Sequence, residues 1–300
     1  MENFKSLFFC FLLLLIIIGC NQSKKQKIPQ TAENEFDSVL QDTAQAFEMA
    51  KNVVFRFPTP GEMFGVIKEG GLTFQGKLLN EKSNSEKYLG FKKQALGLGV
   101  YIADFAYIAL FGRQNDAVDY LNVIEDLSQK VQVAPALNKQ LIDKVKNNLG
   151  SVDSLIEFSD EAFLEMFSYC ENNKMHNVNS IISAGAYIEG LYIALNSVEK
   201  YSTNNKVLDQ LAQQKFSFEH LLTYANEYKA DKDVLAVTEE LQKISEIFSS
   251  LGYEEKKSNV SDKNKTLIIG GGKKYKFTKE QYTELKKLVN KIRSGIIEVS

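Results

Sequence analysis

The sequence predicts an all-α fold, a multi-helix antiparallel bundle or stack of helical hairpins, with a small C-terminal β-hairpin and a last helix. Three observations predict it. Apolar residues recur at three- and four-residue spacing through almost every segment after residue 36. Helix breakers are few, with four Pro in 300 residues. The bulky apolar material is 20 Phe and no Trp, which suits helices packed around Phe, Leu and Ile. The chain is 44% hydrophobic and 25% charged, too apolar and too balanced for a disordered protein. A net charge of −2 gives no support to a nucleic-acid-binding protein. Two His and three Cys leave little material for a metal centre or a disulfide frame, so no cofactor is expected.

The N-terminus reads as an address. Lys5 is a short basic region, and Leu7 to Ile18 is an unbroken apolar run of 12 residues. As a helix that run reaches only about 18 Å, against a bilayer core of roughly 30 Å, which marks a secretory signal rather than a span. Ile17-Ile18-Gly19-Cys20 resembles the lipobox of bacterial lipoproteins. The resemblance implies cleavage before Cys20, diacylglycerol on that thiol and membrane lipid as a partner. An uncleaved anchor would also leave the body outside the cytoplasm. Residues 20–35 are polar, with Lys24, Lys25, Lys27 and Pro29, and read as a flexible tether. Asn21 replaces the Asp that in the lipoprotein pattern signals inner-membrane retention, which implies the periplasmic face of an outer membrane.

The domain plan is then a signal peptide at 1–19, the tether at 20–35, an acidic helical bundle at 36–256 and a basic hairpin and helix at 257–300. In the bundle, Phe36, Val39, Leu40, Phe47, Ala50 and Val54 form one stripe, ended by Phe57-Pro58-Thr59-Pro60-Gly61. A short amphipathic piece, Met63 to Lys68, leads through Gly70-Gly71 to an irregular stretch. A long apolar helix spans roughly Glu86 to Phe111, closed by Gly112. Asn115 or Asp116 caps the next, with Val118, Leu121, Ile124, Leu127 and Val131 on one face. Pro135 suits the first turn of a helix to Gly150, and Ser151 begins another. Asn177 to Tyr201, Asn205 to Tyr228 and Asp231 to Leu251 complete the body. Thr266 to Ile269, Gly270-Gly271-Gly272 as a turn, and Lys273 to Phe277 read as a hairpin. Thr278 caps the last helix. From Lys256 to Arg293 there are 12 basic and 3 acidic residues, whereas Cys20 to Glu255 carries 23 and 33.

Asp104 is the only charge in the 17 residues from Ala95 to Phe111, and Tyr101 and Tyr107 share its helix face. Glu189 is its counterpart in the other apolar helix, flanked by Tyr187 and Tyr192. Two acids and four phenols facing one cavity would hold a cation or polar ligand, or do acid/base work. Alternatively, each acid accepts a Tyr or backbone hydrogen bond, or pairs with Lys92, Lys93 or Arg113, and fixes helix register. The Asp104 helix has the look of a membrane span, but that acid and Gly90, Gly97 and Gly99 favour close helix packing inside a bundle.

The basic tail, with Lys273, Lys274, Lys276, Lys286, Lys287, Lys291 and Arg293, either meets an anionic envelope polymer, lipid headgroups or an acidic partner protein, or docks on the acidic body. Gly270-Gly271-Gly272-Lys273-Lys274 lacks phosphate-loop spacing. Cys170, in an apolar helical stretch, reads as a buried thiol rather than a nucleophile. His176 and His220 stand 44 residues apart with no ligand cluster, and no hydrolase motif is present, so no catalytic or metal-ligating residue is assigned.

Three stretches together are similar to a group of uncharacterised helical lipoproteins of Gram-negative envelopes. They are Pro58-Thr59-Pro60-Gly61-Glu62 with Leu78-Leu79-Asn80, Leu98 to Asp104, and Gly185 to Tyr192. The resemblance covers roughly residues 36–250, implies an all-helical lipoprotein without a known activity, and singles out Glu62, Asp104 and Glu189. The combined expectation is a membrane-anchored, non-enzymatic binding or scaffold protein. The alternative is a small-ligand or cation-binding protein, or a hydrolase, using Asp104 and Glu189.

Overall fold

Two apolar helices that cross through their glycines form the centre of this computed structural model. It describes residues 58–147, 150–263 and 266–298. The signal segment with Cys20, the tether and the Phe36 to Val54 stripe lie outside the described residues. Among the described residues there are ten α-helices and one two-stranded antiparallel sheet.

Thr59 opens α1 (Pro60–Glu69) with a reciprocal capping box. Its hydroxyl accepts from the Glu62 N–H at 3.1 Å, and its own N–H donates to Glu62 Oε2 at 2.9 Å. The central helix α2 (Phe91–Leu110) is buried from Val100 to Leu110, and Gly112 ends it at φ 63°. It begins five residues later than the periodicity placed it, because Lys82–Lys87 forms a 3-10 turn instead. Neither Asn115 nor Asp116 caps α3 (Gln114–Lys130), which starts after Arg113 with no side-chain cap. Asp116 falls in the first turn, where a carboxylate complements the helix dipole.

Pro135 lies in a separate 3-10 turn, Ala134–Ala136, and α4 (Lys139–Asn147) opens later, at Asn138, whose Oδ1 accepts the Leu141 N–H at 2.9 Å. Ser151 caps α5 (Val152–Asn172) as expected. The second central helix is α6 (His176–Ser197). It is long and apolar enough to cross a membrane, but 94% of its apolar window is buried inside the fold, as befits a core helix. The segment expected as one helix over 205–228 is two, α7 (Lys206–Gln213) and α8 (Lys215–Glu227), broken at Gln214. The Tyr187 hydroxyl donates to the Gln214 carbonyl at that break, at 3.1 Å. Asp231 caps α9 (Lys232–Ser249).

The crossing of α2 and α6 is reciprocal. A Cβ on Gly99 would stand 2.0 Å from the Ile182 carbonyl, and one on Gly185 would stand 2.2 Å from the Leu96 carbonyl. Each helix therefore presses backbone into the other's missing side chain, as close helix packing requires. The other helices pack around this pair and enclose one continuous core.

Strands β1 (Gly252–Lys263) and β2 (Thr266–Lys276) pair from Gly252↔Lys276 to Lys263↔Thr266. Gly270 to Gly272 therefore lie inside β2 and do not form the turn. The glycine triplet misled because the pairing is longer than the apolar run. Thr278 and Gln281 form a second capping box, opening α10 (Lys279–Ile297) against α6 and α9.

Candidate functional site

Between α1 and α2 the chain runs from Gly71 to Gly90 with only two 3-10 turns, Gly76–Leu78 and Lys82–Lys87. Part of it is buried, including Leu72, Leu78, Asn80 and Tyr88. Irregular backbone inside a core needs partners from side chains, since no helix or sheet supplies them. The buried polar residues of the central helices meet that demand. The Tyr107 hydroxyl donates to Thr73 O at 2.6 Å and accepts from Gln75 N at 2.8 Å. Tyr101 donates to Glu81 O at 2.7 Å.

Asn80 is the most connected residue of the stretch. Its N–H donates to Asp104 Oδ2 at 3.0 Å, and its carbonyl accepts from the Tyr120 hydroxyl at 2.8 Å. Its Nδ2 donates to Tyr88 at 2.7 Å, and its Oδ1 accepts from Asn84 at 2.8 Å.

Asp104 and Glu189 do come together, carboxyl against carboxyl, and the cation that pairs with Glu189 is Arg293 of α10. The guanidinium donates to both carboxylate oxygens of Glu189, from Nε and Nη2, each at 2.8 Å. Nη2 also donates to Leu78 O at 3.2 Å, and the planar group lies over the Tyr192 ring at 4.0 Å. Both acids are 0% exposed and Arg293 is 7% exposed. A bidentate fork of this kind matches carboxylate geometry in a way a Lys would not.

The guanidinium bonds Glu189 alone of the two acids, so the buried cluster of two carboxyls and one cation is neutral only if one acid keeps its proton. Asp104 is that acid. Burial first, and then the facing Glu189 carboxylate, push its carboxyl well above the usual range. Arg293 and the Asn80 N–H act the other way without cancelling the rise. No donor among the described residues reaches Asp104 Oδ1, and the neighbouring Glu189 carboxylate is the acceptor for the Asp104 proton. Burial raises Glu189 as well, against the pull of Arg293. Burial also raises Tyr101, Tyr107 and Tyr187, so these phenols stay neutral donors.

The four phenols do not converge on a common cavity. Tyr101, Tyr107 and Tyr187 each donate to a different backbone carbonyl, and Tyr192 lies beneath the guanidinium. Glu62 serves the capping box of α1. Lys92, Lys93 and Arg113 do not pair with either core acid: Arg113 reaches Asp116 at 3.4 Å, and Lys93 bonds the Glu298 carbonyl. Among the described residues no group of three or more His, Cys, Asp or Glu is arranged to hold a metal ion. His176 bonds Glu171 at 3.0 Å and stacks on Tyr228.

The basic tail divides in two. Arg293 is inside, so it offers nothing to an anionic surface. Lys274 and Lys276 both grip Asp209 of α7, at 2.8 and 2.5 Å, and hold its carboxyl below the usual value despite partial burial. Lys286 donates to the Val198 carbonyl at 3.2 Å and to Tyr282 at 3.1 Å, closing the C-terminal end of α6. Lys273, Lys287 and Lys291 remain exposed.

Asn80, Tyr88 and Tyr120 are network members that sequence reasoning missed, since they lie in a segment without period or on another helix. Arg293 had a readable signal: it stands four residues after Val289 and three before Ile296, on the apolar stripe of α10. Compared with known proteins, the chain matches no family model, no curated protein and no solved structure.

Proposed function

We propose that the chain is an acyl-anchored lipoprotein of the cell envelope, on the periplasmic face of an outer membrane, that works by binding rather than by catalysis. The address rests on the lipobox-like Ile17-Ile18-Gly19-Cys20, and the family resemblance is of the same kind. One observation carries the choice of binding over chemistry. Among the described residues the two fully buried acids, Asp104 and Glu189, are sealed at 0% exposure, Glu189 committed to Arg293 and Asp104 to the Asn80 N–H.

A ligand or cation between those two acids, or a hydrolytic site built on them, would have to displace a bidentate ion pair from a closed core. The recognition surface then belongs to the basic C-terminal part, which meets an envelope protein or anionic polymer. The test has two parts. Metabolic labelling with a fatty acid marks the wild-type chain and not Cys20→Ser; label on that variant would overturn the anchor. Crosslinking in the envelope of producing cells then captures a partner with the wild-type chain. No crosslinked species above the background of a full-length Lys273→Glu, Lys287→Glu, Lys291→Glu chain would overturn the binding reading.

A further inference from the structure

A cleft lies where β2 crosses α7, and its walls are tied together before any ligand arrives. Gln213 of α7 binds the strand backbone at Tyr275 from both sides, donating to its carbonyl at 3.0 Å and accepting its N–H at 3.3 Å. Asp209, one turn earlier, holds Lys274 and Lys276 at 2.8 and 2.5 Å. Gly70 at the end of α1 lets the third wall close in: a Cβ there would stand 2.7 Å from the Lys206 carbonyl. The resulting cleft is about 520 Å³, within the range of small-molecule sites.

Lys206, Lys273, Lys274 and Lys276 line it with Asp209 and Glu69, and Glu254 and Glu255 of β1 stand opposite Lys274 and Lys273 in the strand register. Asp209 lies between two of these lysines and neutralises only one of them. Among the described residues Lys206 has no ion-pair partner, and Lys273 has none beyond its stance over the Tyr253 ring at 4.2 Å. The amides of Asn204 and Gln210 also line the cleft.

We infer that this cleft binds a phosphoryl group, with Lys206 and Lys273 as its principal cations and Lys274 and Lys276 fixed behind them by Asp209. A phosphomonoester carries a charge of about −1.5 to −2 at neutral pH and three strong acceptor oxygens. Its several acceptor oxygens suit the two lining lysines that have no ion-pair partner among the described residues, with the amides of Asn204 and Gln210 beside them. Lys serves such a group as a point charge with rotatable donors. The group arrives on a soluble phosphomonoester or on a lipid headgroup. The inference rests on the binding reading above and gives it a ligand class; it does not depend on the acyl anchor.

The test uses the full chain in detergent, with glycerol 3-phosphate by calorimetry, and in parallel flotation with vesicles of phosphatidylcholine with and without phosphatidic acid. Lys206→Glu with Lys273→Glu should weaken the bound form about tenfold or more, the scale expected for reversing exposed charges at contact distance. Lys77→Glu with Lys229→Glu changes the net charge equally but lies at exposed positions outside both the cleft and the C-terminal part, and should leave binding unchanged. If the charge reversals disturb the fold, Lys206→Gln with Lys273→Gln should show a smaller loss in the same direction.

Binding of glycerol 3-phosphate assigns a soluble ligand. Binding only to phosphatidic-acid vesicles, lost in the cleft variants, assigns the lipid source. No binding in either arm would overturn the site, and so would equal losses from both variant pairs, which would mark a diffuse charge effect. Either failure, with envelope crosslinking intact, removes this site and leaves the binding reading standing.

Discussion

Arg293→Met is the sharpest perturbation of the core, because it removes one side chain and strands two others. The Glu189 carboxylate loses both of its 2.8 Å partners, and Leu78 O loses its own at 3.2 Å. With Glu189 at 0% exposure, water cannot replace them. Breaking a buried pair from one side costs about 3–5 kcal/mol, a large share of a typical stability of about 5–15 kcal/mol.

The loss also has a pH signature. Without Arg293 the folded Glu189 sits still further above its ordinary 4.5, so the native state holds a proton that the unfolded chain releases. Stability of the variant therefore falls as pH rises from the unfolded value towards the folded one. The assay is urea unfolding at pH 5 and pH 8, following the helical signal. Adding Glu189→Gln to Arg293→Met removes the stranded charge and should recover most of the loss, since a buried pair exchanged for neutral groups is often nearly neutral in stability. A single-variant cost below about 1 kcal/mol, or a double variant no better than the single one, would refute the buried-pair reasoning.

Asp104→Asn should keep or raise stability at pH 7, because the native acid is held neutral there. Between the unfolded value of 3.8 and the raised folded value, the native state alone carries the Asp104 proton, so stability falls with rising pH, and the Asn variant should flatten that slope in unfolding curves across pH 4 to 8. Gly99→Ala would bring a Cβ 2.0 Å from the Ile182 carbonyl, backbone against backbone, and should cost at or above the usual overpacking loss of about 1–3 kcal/mol in thermal melts. Gly65→Ala, with no atom within 4 Å, should instead gain up to about 1 kcal/mol from helix propensity. Asp209→Asn releases the grip on Lys274 and Lys276 and should speed protease cleavage in the 252–276 hairpin while the bundle melts as before. The same clamp weakens in wild-type chain as pH falls through the depressed Asp209 value. Cys170, its thiol pushed up to about 12 by burial, should react with a maleimide only after unfolding.

The central helices were the most legible part of the fold, because a long apolar run broken once by Asp104 or Glu189 has few alternatives to burial. Gly97 and Gly99 were readable as packing residues for the same reason; Gly90 instead precedes α2 at φ 81° with no atom close by, and Gly185 was not singled out as a packing residue. Helix ends were less so. Pro135 has the right φ for a first turn, but Asn138 offers a better cap three residues on, and Gln214 interrupts a pattern whose period never changes. The hairpin was found but its turn was misplaced, since pairing register is set by backbone partners and not by glycine content.

At the candidate site, the union of Asp104 and Glu189 was visible as two matched anomalies. Their partner was not, because Arg293 sits in a basic run that averages to a solvated surface, and only its place on the α10 stripe betrays it. The cleft at α7 joins residues about 70 positions apart (Lys206 to Lys276), a proximity no local pattern encodes.

The measurement that bears most directly on the account compares two variants of the full chain by envelope crosslinking in producing cells. Asp104→Asn should give the wild-type yield and pattern of crosslinked partner, because that acid serves the core. Lys206→Glu with Lys273→Glu should reduce the yield, because the surface does the binding. Loss of crosslinking in the Asp104 variant at an unchanged melting temperature, with the lysine variant at full yield, would contradict the account and return function to the core carboxylates.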